Sequence, residues 1–409
     1  MYRGEYKDKG WSEMDKIRLA GIKKQYESVL LDDVVSFWEK NGIDTQYGGY
    51  IHYLDRDGSV LCDDKAVWIQ SRACWLFARL YNTLEPRDGW LEKSRQGYEF
   101  IRKNCFDERG RMYFKVTREG KPLQMRRYFF SEAFTAIAFA EYGKAARNAD
   151  AVRFARDLFI RMTEYLNCPD PAILPPKIDP VTRPLISHSP YMIMVATAQI
   201  LRECDDNNDI YQPVIDDCIR TILEKFVKPE QGVLLETVKP DGAVMDNPEG
   251  RTVNPGHAIE TAWFIMQEGL RSNRSGIISQ SLNILKWSFE RGWDKEYGGL
   301  LNFVDLNGKP PEKIEWSMKY WWPHNEALYA SLLAYHITKD ESYAKMFEKV
   351  HAFSFEFFPD PEYGEWYGYL NRDGSVCLPI KGSMFKGPFH LPRQLLYSIK
   401  LIDQMLIKE

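Results

Sequence analysis

Two histidines in the sequence each precede an ionisable side chain by three residues: Glu260 follows His257, and Arg393 follows His390. Residues three apart lie on the same face of a helix, so the members of each pair are expected to sit side by side. A carboxylate beside an imidazole fixes its tautomer and raises its basicity, as a general base requires. The spacing therefore predicts proton transfer to or from a bound substrate.

Both histidines belong to a larger set of polar and aromatic residues at the predicted starts of helices. This set contains four of the seven histidines, namely His188, His257, His324 and His390. For His188 and His324, a structural role and a functional role are both open. The remaining three are interpreted as structural: His52, His336 and His351.

Three further charged residues in this set are candidates for the same site. Arg72 lies in an apolar helical pattern, where a buried guanidinium is costly without a partner. It is therefore expected to face a carboxylate or a developing oxyanion. Glu132 and Glu326 are candidates to orient substrate hydroxyls or the histidines.

Tryptophans accompany these residues at positions 68, 263, 321 and 322. Each of the four, Trp68, Trp263, Trp321 and Trp322, could simply belong to a hydrophobic core. A cavity rich in indole rings also suits a sugar, because C–H faces stack on aromatic planes while hydroxyls find polar partners.

The elements that position these residues are predicted by an internal repeat. Five segments carry two glycines ten residues apart: Gly48/Gly58, Gly110/Gly120, Gly232/Gly242, Gly298/Gly308 and Gly364/Gly374. Asp, Asn or Glu precedes the second glycine, and β-prone residues lie between, so each segment predicts a short β-hairpin. Successive copies begin 62, 122, 66 and 66 residues apart, which leaves room for a sixth copy near residue 171. Prolines there predict a hairpin that has become a loop.

Between the hairpins the apolar period changes to about 3.6, which predicts helices. The predicted helices cover residues 12–41, 65–84, 87–104, 128–146, 148–166, 188–204, 209–226, 254–271, 275–290, 319–338, 340–357 and 384–407. Six pairs of helices with apolar terminal members favour a closed double ring over an open solenoid, which needs polar end repeats. We therefore expect an all-α protein, an (α/α)6 barrel with short hairpins between its helices, formed as one domain by residues 1–409.

Composition excludes several other classes of protein. A net charge of -4 with 44% hydrophobic residues argues against disorder, and a sequence pI near 6.1 offers no basic face for nucleic acid. No apolar stretch is long enough to span a membrane or to direct export. The odd number of cysteines, seven, lacks metal-binding spacing and predicts free thiols. These features predict a soluble, cytoplasmic protein.

The chain resembles the N-acylglucosamine 2-epimerase family, also called the renin-binding protein group, over residues 12–405. The resemblance rests on four motifs in this order: Trp68-Ile69-Gln70-Ser71-Arg72-Ala73-Cys74-Trp75, Asn254-Pro255-Gly256-His257-Ala258-Ile259-Glu260, Lys319-Tyr320-Trp321-Trp322-Pro323-His324-Asn325-Glu326-Ala327, and Phe385-Lys386-Gly387-Pro388-Phe389-His390-Leu391-Pro392-Arg393. It implies an (α/α)6 barrel, a homodimer, and inversion at C2 of N-acyl-D-glucosamine or N-acyl-D-mannosamine in its open-chain form.

The same resemblance implies roles for individual residues. The catalytic histidines are expected at His257 and His390, supported by Arg72, Glu260 and Glu326. Substrate contacts are expected from Trp68, Glu132, Trp263, Trp321, Trp322, His324, Lys386 and Arg393. Neither a metal nor a cofactor is expected to take part in the chemistry, although ATP is an expected allosteric effector in this family.

Departures from the family pattern leave the sugar open. Ser383-Met384 stands where the N-acyl epimerases usually have Gly-Pro, and Pro388 stands where they tend to have Cys. The Lys-x-Pro-Phe-His run resembles the cellobiose 2-epimerase and aldose–ketose isomerase branches, whereas His188-Ser189-Pro190 resembles the N-acyl branch. We favour an N-acyl sugar. The alternatives are aldose–ketose isomerisation and epimerisation of cellobiose or mannose.

Two rival classes of function also fit the residues. Many (α/α)6 barrels are glycoside hydrolases, and Glu132, Glu260 and Glu326 could supply a carboxylate pair. A non-catalytic binding protein is the other rival, although the presence of both His257 and His390 argues against it.

Overall fold

The computed structural model describes residues 15–126, 128–167 and 170–407, which form two concentric rings of helices. In chain order the helices are α1 (Lys16–Ser28), α2 (Ser36–Asn41), α3 (Val67–Thr83), α4 (Asp88–Asn104), α5 (Phe130–Ala146), α6 (Ala149–Asn167), α7 (Ser189–Cys204), α8 (Tyr211–Thr221), α9 (Pro248–Arg251), α10 (Pro255–Arg271), α11 (Ser275–Gly292), α12 (Trp321–Thr338), α13 (Glu341–Phe357) and α14 (His390–Ile407). The inner ring runs α3, α5, α7, α10, α12 and α14. The expected (α/α)6 barrel is confirmed.

The predicted helices agree with the observed ones to within a few residues at most ends. A π-helical stretch, Val29–Val35, joins α1 to α2, and another, Ile222–Phe226, extends α8, so the predicted helices 12–41 and 209–226 are each continuous but not wholly α-helical. Residues 12–14 lie outside the described chain. The last helix begins at His390 rather than at 384, six residues later than predicted.

Burial patterns separate the inner helices from the outer ones. In α5 every residue from Ser131 to Gly143 is buried, as expected for a helix surrounded on all sides. In outer helix α4, burial is limited to one face, at Trp90, Ser94, Gly97, Phe100 and Ile101. The core therefore lies between the two rings and within the inner one.

Short strands lie at the end of the barrel at which the inner helices begin. They are β1 (Tyr53–Leu54), β2 (Val60–Cys62), β3 (Lys65–Ala66), β4 (Lys115–Val116), β5 (Pro122–Gln124), β6 (Ile186–Ser187), β7 (Val227–Lys228), β8 (Val233–Leu234), β9 (Thr237–Val238), β10 (Thr252–Val253), β11 (Val304–Asp305), β12 (Lys319–Tyr320), β13 (Tyr369–Leu370) and β14 (Val376–Leu378). Residues 170–185 form turns without a strand, as the prolines predicted.

Only three of the five predicted hairpins form as expected, namely β1–β2, β4–β5 and β13–β14. In the other two repeats the strand between the glycines pairs elsewhere, β9 with β6 and β11 with β10. In the latter, Pro310 and Pro311 follow the second glycine and remove the backbone donors that a returning strand needs. The prediction of five hairpins was therefore wrong for these two segments.

Ion pairs between neighbouring hairpins close the ring. Arg118 in the second repeat binds Asp44 in the first, and Arg372 in the sixth binds Asp294 in the fifth. Arg56 in the first repeat binds Asp360 in the sixth in the same way, with Nε 2.9 Å from Oδ2. Because the same contact joins sequence neighbours and the two ends of the chain, the repeats form a circle rather than an open solenoid.

Two other predictions from composition concern cysteines and membranes. Six cysteines are free, whereas Cys168 lies outside the described residues. Within the described parts of the chain, no helix combines the length and the apolar character that crossing a bilayer requires.

Replacing Asp294 by asparagine is expected to lower the free energy of unfolding by about 3 kcal/mol, because it leaves the buried Lys319 ammonium without its counter-charge. Hydrogen bonds from Arg372 and Lys319 outweigh burial and lower the pKa of the Asp294 carboxyl to about 2. A folded-state pKa below the unfolded one means that this stabilisation is present above about pH 4 and is lost towards pH 2. Urea unfolding of the wild type and of the Asp294→Asn variant at pH 7 and pH 3 measures the difference in the free energy of unfolding.

The matched control is Glu296→Gln, which removes the exposed partner of the same Arg372. A surface ion pair contributes little, so this change is expected to cost less than about 0.5 kcal/mol. Equal losses for the two variants would contradict the prediction.

Candidate active site

A cavity of about 470 Å³ opens at the end of the barrel where the inner helices begin. Each inner helix contributes a residue of its first turn to the lining: Trp68, Phe130, Ser189, His257, Trp321 and His390. Six helix N-termini therefore converge on this space, and their aligned peptide dipoles favour negative charge there.

His257 is held by a carboxylate that sequence reasoning did not select. Its Nδ1 lies 3.1 Å from each oxygen of Glu236, in the loop between β8 and β9. Burial opposes protonation of the ring, but the Glu236 carboxylate outweighs burial and raises the pKa of His257. The expected pairing with Glu260 was wrong, because Glu260 instead accepts a hydrogen bond from Arg393.

His390 is held by Glu326, with Nδ1 2.7 Å from Oε1. Burial, together with the nearby guanidinium of Arg393, keeps the pKa of His390 well below its usual value. Glu326 is fixed in turn by Arg393 at 2.7 Å and by the indole Nε1 of Trp263 at 2.8 Å. The pKa values of the two histidines are thus shifted in opposite directions, so His257 is the more basic and His390 the less basic.

The two imidazoles flank one tryptophan in the same cavity. The ring of Trp322 lies 5.1 Å from that of His257 and 5.7 Å from that of His390, measured between centroids. Each histidine uses Nδ1 for its carboxylate, and neither Nε2 has a hydrogen-bond partner within the described residues. Both Nε2 atoms are therefore available to a substrate.

Arg72 lines the cavity and has no carboxylate within ion-pair distance among the residues that the structure describes. Its guanidinium carbon instead lies 4.0 Å from the ring centroid of Phe134 and 4.9 Å from that of Phe389. Burial lowers the pKa of Arg72 to about 9. Of the two partners expected for this cation, no carboxylate is found among the described residues, and its Nη1 donates a hydrogen bond of 3.4 Å to the backbone carbonyl of Phe385.

Eight of the sequence-predicted site residues line the cavity: Trp68, Arg72, His257, Glu260, Trp321, Trp322, His390 and Arg393. Two others, Trp263 and Glu326, lie directly behind this surface and are bonded to each other. The structure therefore brings together most of the expected set.

Three residues predicted to bind substrate lie away from the cavity lining. Both ring nitrogens of His324 engage backbone groups, with Nε2 accepting from the amide of Leu300 and Nδ1 near the carbonyl oxygen of Tyr320. Burial lowers the pKa of His324 to about 3. His52 also bonds two backbone groups through its ring, so His324 is a structural counterpart of His52.

Lys386 and Glu132 are likewise bound inside the protein. The ammonium of Lys386 lies 2.9 Å from Oε1 of Glu365. The carboxylate of Glu132 accepts a hydrogen bond of 2.7 Å from Nε of Arg111. Their placement contradicts the expected substrate contacts, because their charges are already compensated by buried neighbours.

The remaining histidines are outside the catalytic pair. His188 is buried, with Nε2 3.0 Å from the hydroxyl of Thr261 and Nδ1 3.9 Å from Glu236. It packs behind Glu236 and does not line the cavity, which favours the structural interpretation. His351 stacks on Phe355, away from this end of the barrel.

The repeat contained a signal that identifies Glu236. It stands four residues after the first glycine of its repeat, and the equivalent residues are His52, Phe114, Asn302 and Gly368. Of these residues, Asn302 lines the cavity and Glu236 contacts His257. Comparing the five copies at this position selects Glu236 as the one carboxylate.

The cluster of Glu260, Glu326 and His390 has the spacing of metal ligands, since one donor atom from each lies within 4.8 Å of the others. The guanidinium of Arg393 donates to both carboxylates. The positive charge at this position is therefore supplied by Arg393.

Replacing Glu236 by glutamine is expected to move the alkaline limb of the pH profile of kcat/KM to lower pH. The active histidine pair carries one proton, which His257 holds because Glu236 raises its pKa. Without the carboxylate this pKa falls, so the proton is lost at lower pH, while the acid limb set by His390 stays in place. Initial rates from pH 5 to pH 10 measure both limbs.

The control is Glu230→Gln, an exposed residue of the same repeat that is expected to leave both limbs unchanged. An alkaline limb that stays fixed or rises in the Glu236 variant would contradict this assignment.

Comparison with known proteins supports this view of the fold. Residues 49–389 match the N-acylglucosamine 2-epimerase (GlcNAc 2-epimerase) family. The chain is 36% identical to the N-acylglucosamine 2-epimerase of Mus musculus, covering 96% of this chain and 95% of that protein, and 25% identical to the cellobiose 2-epimerase of Dictyoglomus turgidum, covering 93% and 99%.

Among solved structures, the cellobiose 2-epimerase of Spirochaeta thermophila superposes with a TM-score of 0.82 at 20% identity, over 95% of this chain and 98% of that one. The sequence match covers most of the chain, and the solved structure shares its fold. The chain belongs to the N-acylglucosamine 2-epimerase family.

Proposed function

We propose that this protein interconverts N-acyl-D-glucosamine and N-acyl-D-mannosamine by inverting C2. One observation carries the proposal: two imidazoles from different inner helices flank Trp322 in one cavity, and each is oriented by its own carboxylate. Inversion requires proton transfer on both faces of one carbon, and two independently held bases supply it. The relatives named N-acylglucosamine 2-epimerase support the choice of sugar.

The reaction starts from the ring-opened sugar, because C2 is acidic only beside a free C1 aldehyde. His390, which is neutral, takes the C2 proton, and the electron pair of the C–H bond forms an enolate with the negative charge on O1. His257, which is protonated, then donates its proton to C2 on the opposite face. The reverse reaction uses the two histidines in the opposite order.

The enolate is the species that the cavity stabilises best. Arg72 has a buried charge without a carboxylate partner, so a negative oxygen gives it a counter-charge that the resting protein lacks. The converging helix N-termini act in the same direction. Arg393 keeps Glu326 in place, and Glu326 keeps the Nε2 of His390 directed away from its carboxylate.

A deuterium experiment tests the proposal. N-acetyl-D-mannosamine incubated with the enzyme in D₂O should give N-acetyl-D-glucosamine with one deuterium at C2, as seen by proton NMR. Mannose and cellobiose are assayed in parallel. Conversion of the neutral sugars without conversion of either N-acyl sugar would reject the proposed substrate, and product without deuterium would reject the mechanism.

The glycoside hydrolase alternative is not supported by the carboxylates. Such enzymes need one protonated and one ionised carboxyl group flanking the scissile bond. Here Glu260 and Glu326 both accept hydrogen bonds from one nitrogen of Arg393, so they converge on one cation instead of lying on either side of a scissile bond. Glu132 is held by Arg111 outside the cavity.

Four predictions from the sequence complete the proposal: a single domain, a homodimer, a cytoplasmic location and an ATP effector. The single domain depends on the repeat, the cytoplasmic location on composition, and the homodimer and the effector on family resemblance. Sedimentation with and without ATP, together with the activity measured at each concentration, tests the dimer and the effector.

A further inference from the structure

Two side chains of the cavity lining leave a buried polar atom without a hydrogen-bond partner among the described residues: Nε of Arg72 and Oδ1 of Asn302. The proposed mechanism uses the charge of Arg72 but does not use Asn302. Asn302 is only 2% exposed. A buried amide oxygen without a partner is costly, so an unpaired one in a substrate cavity indicates a ligand group that completes it.

The strand register places Asn302 beside the helix that carries His257. In the β10–β11 pair, Val253 lies opposite Val304, and Thr252 lies opposite Asp305. The end of β10, from which α10 continues, lies beside the start of β11, which Asn302 precedes by two residues. Asn302 and His257 therefore leave the strand pair at the same end, and both line the cavity.

That position is where the acylamino group of the proposed substrate must lie. Its nitrogen is bonded directly to C2, the carbon that exchanges its proton with the histidines. A group that recognises the amide must consequently neighbour the catalytic imidazoles. Asn254, the other asparagine of the lining, uses its Oδ1 to cap α10 by accepting a hydrogen bond from the amide of His257 at 3.0 Å. This leaves Asn302.

The chemistry of the side chain matches the ligand group. A primary carboxamide offers one acceptor and two donors, so it can pair reciprocally with a secondary amide. Its oxygen accepts from the substrate N–H, and its NH₂ group donates to the acyl carbonyl. A neutral sugar has only a hydroxyl at C2 and cannot form this two-point contact.

We propose that Asn302 binds the C2 acylamino group and thereby selects N-acylated hexosamines over neutral sugars. This inference rests on the proposed function, since it names the determinant of substrate choice in the same site. Asn302 is a specificity-determining residue and takes no part in moving the proton.

The test compares two substrates in one variant. In Asn302→Leu, which keeps the approximate volume but removes both polar groups, kcat/KM for N-acetyl-D-mannosamine is expected to fall by about 10²-fold, because two hydrogen-bonding groups of the substrate are left unpaired. The value for mannose is expected to change by less than about threefold. Asn371→Leu, at an exposed asparagine of another hairpin, is the control and should alter neither value.

If mannose turns over too slowly, dissociation constants of the non-reacting alditols N-acetylmannosaminitol and mannitol provide the same comparison. Equal losses for both sugars, or no loss for the N-acyl sugar, would overturn the role of Asn302 and leave the proposed function intact. A wild-type enzyme that converts no N-acyl hexosamine would instead reject the proposed function.

Discussion

Asparagine in place of His390 is expected to lower kcat for epimerisation by about 10³-fold or more. One proton-transfer group is typically worth about 10²–10⁴ in rate, and inversion needs both groups. The protein should still fold, because the two side chains that Nδ1 of His390 contacts, Glu326 and Arg393, are also hydrogen-bonded to each other. Progress of the reaction from either epimer, followed by polarimetry, measures the loss.

Isotope exchange distinguishes this mechanism from a general loss of activity. In the His390 variant, His257 can still remove and return the C2 proton of the epimer that faces it. That epimer should therefore take up deuterium from D₂O without inverting. The corresponding His257→Asn variant should exchange the C2 hydrogen of the other epimer for deuterium. This complementary pattern follows only if the two histidines act on opposite faces.

His336→Asn is the matched control, because His336 lies near the far end of α12, away from the first turn that reaches the active-site cavity. Its kcat is expected to stay within about twofold of the wild type. Exchange into both epimers in one catalytic variant would show that a single base serves both faces, and the two-histidine mechanism would then be wrong.

Methionine in place of Arg72 is expected to lower kcat by about 10²–10³-fold and, at the same time, to raise the free energy of unfolding by about 1–2 kcal/mol. The loss of rate follows from losing the cation that faces the enolate oxygen. The gain in stability follows because this guanidinium is buried against Phe134 and Phe389 with no carboxylate to compensate it. Steady-state kinetics and urea unfolding measure the two effects separately.

Arg79→Met, seven residues further along the same helix, is the control for the stability effect. The Arg79 guanidinium lies 2.6 Å from the fully buried carboxylate of Glu141, so its removal should destabilise the fold by about 3 kcal/mol. A destabilised Arg72 variant would show that this cation has a structural partner and is not held for the reaction.

The helices and their circular order were predictable from the sequence. Periods of about 3.6 residues and glycines ten residues apart are local signals, and the predicted helix 254–271 forms as α10, Pro255–Arg271. Because six pairs with apolar ends favour a ring, the first turns of the inner helices were expected at one end. This arrangement predicts that Arg72, His257 and His390 lie at the same end of the ring.

Only the tertiary structure decided which side chains contact each other. His257 pairs with Glu236 from a loop rather than with Glu260 from its own helix, while His324 and Lys386 turn into the protein although they stand in the same motifs as cavity residues. Within α12 each residue is turned by about 100° around the helix axis, so His324 faces Phe353 of the outer helix while Trp321 and Trp322 line the cavity. Lys386 lies in the loop before α14, where its ammonium reaches Glu365. The orientation of each helix in the closed ring selects the face that meets the cavity, and that orientation depends on packing between distant segments.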